Sequence, residues 1–271
     1  MPILEDLFTA KAPITQGSLE NDLRNMGLKS GMNVMVHSSL KSIGWISGGA
    51  IAFIQALMEV VTSEGTIIFP SHSTDLSDPS TWRAPSVPKE WWETIRETMP
   101  PFDSQTTPTY ALGTVAEQFL KFPGVIRSNH PQYSFAAWGK NAHHITCDHA
   151  LAFGMGVHSP LQKMYDLDAY SLLVGVSYEN NTSFHLAEYQ VDQPSTITQS
   201  SPILENGRRV WQTYQDIELD PNDAFDEIGK DFEQHCPVVK ANVGHANARL
   251  FKQVDAVNFA LEWLNNAYKE V

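Results

Sequence analysis

The sequence predicts an α/β fold organised around parallel strand pairing, and three observations predict it. Between Met32 and Pro70 a strand, a turn, a helix and a second strand follow one another, which is a βαβ unit, and such units build parallel sheets. Residues 170–177, YSLLVGVS, form the near-continuous apolar run of a strand buried on both faces. Beyond Gln190 the pattern turns to strands around an Asn206-Gly207 pair, a hairpin signal that adds a small antiparallel section towards the C-terminus.

The elements follow in chain order. Apolar residues at helical spacing predict a helix over 19–26, with Gly27 placed to cap its end. Residues 32–37 form a β-prone run that stops at Ser38-Ser39, Gly48-Gly49 opens a helix over 50–61, and 65–70 is a strand closed by Pro70. From 71 to 109 Ser, Thr, Asp and Pro dominate, with Trp82, Trp91 and Trp92 embedded and a short helix over 89–98. A connection this long with its own aromatics is characteristic of a lid or a binding loop. A helix over 113–121, a strand over 133–138 and short helices over 142–147 and 160–167 lead to the strand at 170–177. A helix over 182–189 follows, with Asn180, Asn181 or Thr182 available as its cap. Strands at 195–199, 203–204, 208–217 and 238–243, and helices at 223–235 and 254–268, complete the chain. No repeat and no Gly-, Ser- or Pro-rich linker divides it, so residues 1–271 are expected to form one domain carrying the insertion at about 71–109.

Composition excludes several classes. The 271 residues carry 18 Lys and Arg against 31 Asp and Glu, a formal charge of −13. Phosphate contacts need a dense basic surface, so a nucleic-acid partner is not expected, whereas an acidic cleft concentrates cationic small molecules. No run reaches the roughly 18 apolar residues of a membrane helix, the most apolar stretch, 50–61, being broken by Gln55 and Glu59. The start, MPILEDLFTAKAP, lacks the basic and apolar regions of a secretory signal. Cys147 and Cys236 make neither a disulfide framework nor a zinc module. The expectation is a soluble cytoplasmic protein without a membrane partner, monomeric or homodimeric.

Common catalytic signatures are absent. Gly175-Val-Ser177-Tyr-Glu179 has the serine of a nucleophile elbow but not its last glycine, and Gly154-Met-Gly156 lacks the third glycine of a dinucleotide loop. There is no phosphate-binding P-loop and no H-E-x-x-H pair. His143, His144 and His149 flank Cys147, which leaves two alternatives open. One is a thiolate nucleophile, although a free cysteine is ordinarily a small buried hydrophobe. The other is a zinc hydrolase, although adjacent histidines point about 100° apart on a helix.

Three segments carry the functional reading. The first, Val36-His37-Ser38-Ser39-Leu40-Lys41-Ser42, ends the first strand, where ligands of α/β sheets bind, and its backbone N–H groups, hydroxyls and Lys are suited to a phosphate or a pantetheine chain. The second is Phe122-Pro-Gly-Val-Ile-Arg127-Ser128-Asn129-His130-Pro131. In the third, Asn181-Thr182-Ser-Phe-His185-Leu-Ala-Glu188, His185 and Glu188 share a helix face. A carboxylate there would fix the imidazole tautomer and stabilise imidazolium, as a general base requires, though such spacing also occurs in plain surface pairs.

In this order the HSSL turn, GTIIFP, PGVIRSNHP, SFAAWG, the Ser-Pro pair after Gly156, and LLVGV leading into NTSFHLAE resemble the aminoglycoside 3-N-acetyltransferase family, from Met32 to Glu188. Within the family the chain looks like the chromosomal members of Gram-positive bacteria more than the dedicated resistance enzymes. The resemblance implies a three-layer α/β/α sandwich with a mostly parallel central sheet, acetyl-CoA as donor and no metal. It implies that His37, Ser38, Ser39, Leu40, Lys41 and Ser42 hold the cofactor, with Thr114, Arg127 and Ser128 nearby. It also implies that His185 and Glu188 are the catalytic pair, and that Thr182 lies against the cofactor thiol or the acetyl group.

Elementary chemistry agrees with that assignment. An ammonium must lose a proton before it attacks a thioester, and a histidine of ordinary pKa near 6.5 can take it, worth roughly 10²–10⁴ in rate. Backbone N–H groups of the Ser38–Leu40 turn are candidate oxyanion donors, and a sequential mechanism follows if no covalent enzyme intermediate forms. The expected acceptor is the 3-amino group of a 2-deoxystreptamine aminoglycoside. Its cationic groups would meet acids such as Asp75 and Asp192, with Asp78, Asp103 and Glu188 as further candidates, and the Trp-bearing insertion would set specificity. A different amine, or a CoA-binding protein without catalysis, is the alternative.

Overall fold

The computed structural model describes residues 12–83, 85–219 and 224–267. Its centre is the expected βαβ unit. Strand β1 (Asn33–Ser38) pairs in parallel with β2 (Thr66–Pro70) on one side and with β5 (Tyr170–Val174) on the other. Outside this trio the sheet is antiparallel. Strand β4 (Phe135–Gly139) lies against β2, and the two-residue β3 (Ile126–Arg127) lies against β4. On the far side β9 (Ala246–Lys252) pairs with β5, and β8 (Val239–Val243) pairs with β9. The seven-stranded order is therefore β3-β4-β2-β1-β5-β9-β8. The α/β class stands, and the expectation of mostly parallel pairing narrows to the three central strands. The flanks differ because β8 and β9 are joined by the two-residue turn Gly244-His245, which can only reverse the chain.

Strand alternation sorts the core into two layers. Val34, Val36, Ile67, Phe69, Leu172 and Val174 point into one buried cluster, while Met35, Ile68, Leu173 and Phe251 point into the other. The first cluster is covered by α1 (Gln16–Asn25), α3 (Gly49–Val61) and α5 (Gly113–Phe119) through Leu19, Phe53, Leu57 and Phe119. Thr15 and Ser18 cap α1 reciprocally, which starts that helix three residues before the expected position. The second cluster is covered by α6 (Ala142–Thr146), α7 (Pro160–Asp166), α8 (Ser183–Glu188), α9 (Phe225–His235) and α10 (Gln253–Ala267). Helices on both faces of one sheet make the α/β/α sandwich. The expected helix starts and ends at Asp223 and Tyr268 lie outside the described residues.

The antiparallel section is a two-stranded ribbon, β6 (Thr196–Glu205) and β7 (Arg208–Ile217). Asn206 and Gly207 turn it with φ of 52° and 75°, the geometry a two-residue hairpin demands. The sequence splits β6 at Pro202, yet the strand is continuous. Pro202 aims its carbonyl away from β7, at the Phe102 N–H 3.0 Å away, so its nitrogen also faces away and the ladder loses nothing.

That Phe102 contact belongs to the insertion, which folds as 3-10 turns Pro79–Thr81 and Lys89–Trp91 and a short α4 (Trp92–Thr98). Asp78 takes both ends of the Arg96 guanidinium at 2.7 and 2.8 Å, and Arg209 of β7 donates to the carbonyls of Met99, at 2.7 Å, and Arg96. Trp82 donates to Ser77, Trp92 stacks under Lys89 and Arg96, and Trp91 stays 58% exposed. No helix among the described residues is long and apolar enough to cross a membrane.

Candidate active site

The carboxyl ends of β1, β2 and β5 open into a cleft of about 200 Å³, the place where open α/β sheets hold ligands. β1 delivers His37 and Ser38 to it. Ser39 then donates its N–H to the Val174 carbonyl at 2.9 Å, extending the β1–β5 pairing by one bond, and caps the single turn α2 (Leu40–Ile43). Ser42 locks that turn by donating to Ser39 Oγ at 2.9 Å or to the Gly175 carbonyl at 3.0 Å. Gly175 has φ of +68°, and a Cβ there would stand 2.4 Å from the Ser42 Cβ; only glycine allows the two turns to meet. Leu40 packs against the first core layer, and Lys41 extends into water.

Beyond β5, Ser177 accepts the Glu179 N–H and starts the turn Tyr178–Asn180, which feeds α8. On α8 His185 Nδ1 stands 2.6 Å from Glu188 Oε2, and Glu188 is 9% exposed. The carboxylate therefore holds the proton on Nδ1 and leaves the Nε2 lone pair free. Phe225 meets the ring edge-on at 4.9 Å and Thr182 lies buried one turn earlier; both Thr182 and His185 line the cleft. Opposite, the cleft is walled by Phe69 and Pro70 from β2 and by Leu112 and Ala116 at α5.

Two further imidazoles face this space. Burial, and then the nearby His185, lower the His37 pKa to about 3; burial and its charged neighbours do the same to His72. Both rings are thus neutral at physiological pH, and the Nε2 of each is buried without a partner. Asn181, wholly buried, likewise leaves both ends of its amide unpaired. Buried polar atoms normally find partners; His37 and His72 line the cleft, and Asn181 stands between the lining residues Asn180 and Thr182.

The structure brings His37, Ser38, Thr182, His185 and Glu188 together and leaves other candidates apart. Arg127 is buried and spends its guanidinium on the Ser71 and Thr107 carbonyls and the Ser73 and Ser134 hydroxyls, with its face on Phe102. Ser128 accepts the Phe135 N–H and meets His149 Nδ1 at 2.9 Å. Neither is among the described residues lining the cleft. Thr114 is exposed at the start of α5, beside the lining residue Leu112. Asp75 and Asp192 are exposed and away from the lining, Asp78 is paired to Arg96, and Asp103 accepts the N–H groups of Gln105 and Thr106. The Glu188 carboxyl is committed to His185.

Three polar lining residues are not among the site candidates of the sequence: His72, Glu179 and Asn180. His72 stands just past GTIIFP, so the strand-end rule could have found it. Cys147 sits apart from the cleft, its thiol towards the His144 carbonyl and 3.7 Å from Lys163 Nζ. His149 Nε2 bonds the Gly154 carbonyl at 2.6 Å, and among the described residues no three metal-ligating side chains converge. Nothing here assembles the zinc or thiolate alternatives.

Comparison with known proteins agrees with this layout. The family described as aminoglycoside 3-N-acetyltransferase matches residues 35–265. The SPbeta prophage-derived aminoglycoside N(3')-acetyltransferase-like protein YokD of Bacillus subtilis is 48% identical over 96% of this chain and 96% of its own. Its crystal structure superposes with a TM-score of 0.95, covering 97% of this chain and 98% of that one, at 47% identity. Aminoglycoside N(3)-acetyltransferase III of Pseudomonas aeruginosa is 33% identical over 94% of this chain and 95% of its own. A binary complex of AAC-IIIb with CoASH, 28% identical, superposes with a TM-score of 0.84 over 94% of this chain and 98% of that one.

Proposed function

The chain belongs to the aminoglycoside 3-N-acetyltransferase family, and from that premise we propose that it moves the acetyl group of acetyl-CoA directly onto an amine of a cationic small molecule, the 3-amino group of a 2-deoxystreptamine aminoglycoside. The observation that carries the reading is the 2.6 Å His185–Glu188 pair opening on the strand-end cleft. Acetyl-CoA is the second substrate and supplies an activated carbonyl. The relative held with CoASH supports its use here, as do the unpaired buried atoms of His37 and Asn181 in and beside the cleft.

The acceptor ammonium gives one proton to solvent to become the free amine; as the C–N bond forms, His185 Nε2 takes a second proton from that nitrogen, and Glu188 stabilises the imidazolium that results. The same imidazolium returns the proton to the departing sulfur, so no protein group is acylated and both substrates bind before transfer. Ser38 and Leu40 offer N–H groups beside the cleft, the Ser39 N–H being spent on the Val174 carbonyl; Ser39, Lys41 and Ser42 carry the cofactor-facing turn outward, and Thr114 borders it from α5. Thr182 stands where the sulfur and acetyl group would lie. Arg127 and Ser128 serve from behind, by fixing the insertion and the β3–β4 connection. Glu179, on the cleft wall, is the first acid a cationic acceptor meets, with the exposed Asp75 and Asp192 farther out. We assign the reaction to the cytoplasm, where acetyl-CoA is available.

The test is release of free thiol from acetyl-CoA with a panel of 2-deoxystreptamine aminoglycosides. Wild type should turn over with intersecting initial-velocity lines, and His185→Ala should lose about 10²–10⁴-fold in kcat while still binding acetyl-CoA. Parallel lines, or full activity in the variant, would refute the proposed mechanism.

A further inference from the structure

His37 has a place that the general-base scheme does not use. It is the penultimate residue of β1, 8% exposed, set between the Ser38–Ser42 turn and α8. Its Nε2 is buried in the cleft wall without a hydrogen-bond partner. No carboxylate bonds its ring among the described residues, in contrast to His185. His37, Ser38 and His185 line the same cleft, so a thioester carbonyl presented there to the His185 nitrogen would face this wall.

Resting on the acetyl-CoA reading above, we propose that His37 is a catalytic residue of the transfer, donating an Nε2–H hydrogen bond to the thioester carbonyl oxygen. As the amine lone pair forms the C–N bond, the carbonyl π pair moves onto that oxygen. His37 bonds the resulting oxyanion more strongly than the carbonyl and transfers no proton. Collapse reforms C=O and breaks C–S, and the sulfur leaves with the proton held by His185.

Neutrality suits the ring to this task. Burial and the neighbouring His185 keep His37 from becoming imidazolium, so it competes for no amine proton at physiological pH. A neutral imidazole, like other preorganised donors, stabilises negative charge without protonating it. Hydrogen-bond donors of this kind are worth about 10²–10³ in kcat.

The readout that separates this from a structural role is the carbonyl itself. The dethia analogue of acetyl-CoA, a ketone with CH2 in place of the thioester sulfur, is bound to the protein and its C=O stretch recorded. Wild type should move the stretch to lower wavenumber, His37→Gln should retain part of the shift, and His37→Phe should abolish it. CoASH, which has no acetyl carbonyl, should bind all three alike. In kinetics His37→Phe should lose about 10²–10³-fold in kcat with little change in the acetyl-CoA KM. Should the Phe variant fail to fold, the imidazole N–H resonance of wild-type His37 replaces it, and should move downfield with the dethia analogue but not with CoASH. A carbonyl shift that survives in His37→Phe, or an unshifted carbonyl in wild type, overturns the proposal while leaving acetyl-CoA as substrate. Failure of wild type to bind either CoASH or the analogue overturns both.

Discussion

Glu188 shows how much a single residue can hold. Its carboxylate lies almost wholly out of water and accepts the His185 Nδ1–H at 2.6 Å, fixing the tautomer; in the proposed mechanism it also balances the charge of the imidazolium. Glu188→Gln keeps the size and an acceptor oxygen but removes that charge. The expected outcome is a fall of about 10²-fold in kcat with acetyl-CoA affinity unchanged, measured by steady-state kinetics beside equilibrium binding. The His185–Glu188 contact was legible from sequence because three-residue spacing on a helix puts both side chains on one face, whereas its proposed role came from the family resemblance. The unpaired ends of His72 and Asn181 were not, because being unpaired is a property of the packed surroundings.

At the level of elements, the cleft depends on two turns that touch. Gly175 closes β5 with a left-handed φ of +68° and leaves room for Ser42 to reach its carbonyl. Gly175→Ala places a methyl against Ser42 and a side chain in an unfavourable backbone region, a cost of about 1–3 kcal/mol. A lower melting temperature and a raised acetyl-CoA KM should appear together, because the same contact stabilises the fold and shapes the turn at Ser39. The central βαβ unit was readable because its strands are apolar on both faces and its helix is long. β9 was not: ANARLFK interleaves Asn, Arg and Lys with its apolar residues, and only pairing with β5 and β8 makes a strand of it. β3, two residues long, is too short to carry any pattern.

For the molecule as a whole, stability should fall on the acid side of neutrality. Burial holds His37, His72 and His130 neutral, with pKa values of about 3 for the first two and well below ordinary for His130; His149 is lowered to about 4. His130 Nδ1 accepts the N–H groups of Gln132 and Tyr133, so protonation there would break two backbone bonds. In the unfolded chain these rings bind protons near pH 6.5, so between that pH and the folded values the unfolded state holds more protons. Their contribution is therefore complete above about pH 6.5 and is lost as pH falls, at up to about 1.4 kcal/mol per pH unit for each histidine. Asp216, whose pKa burial raises, works in the opposite sense. Urea unfolding at pH 7.5, 6.5 and 5.5 should give a steadily falling midpoint; a flat series would show that these rings protonate in the fold without penalty. The insertion adds a consequence of another kind. Arg209 and Arg127 grip it through the carbonyls of Met99, Arg96, Thr107 and Ser71, and every amino acid has a carbonyl. These two guanidinium grips therefore do not themselves specify which side chains stand at those four positions, although the Arg96 side chain separately ties the insertion together through Asp78.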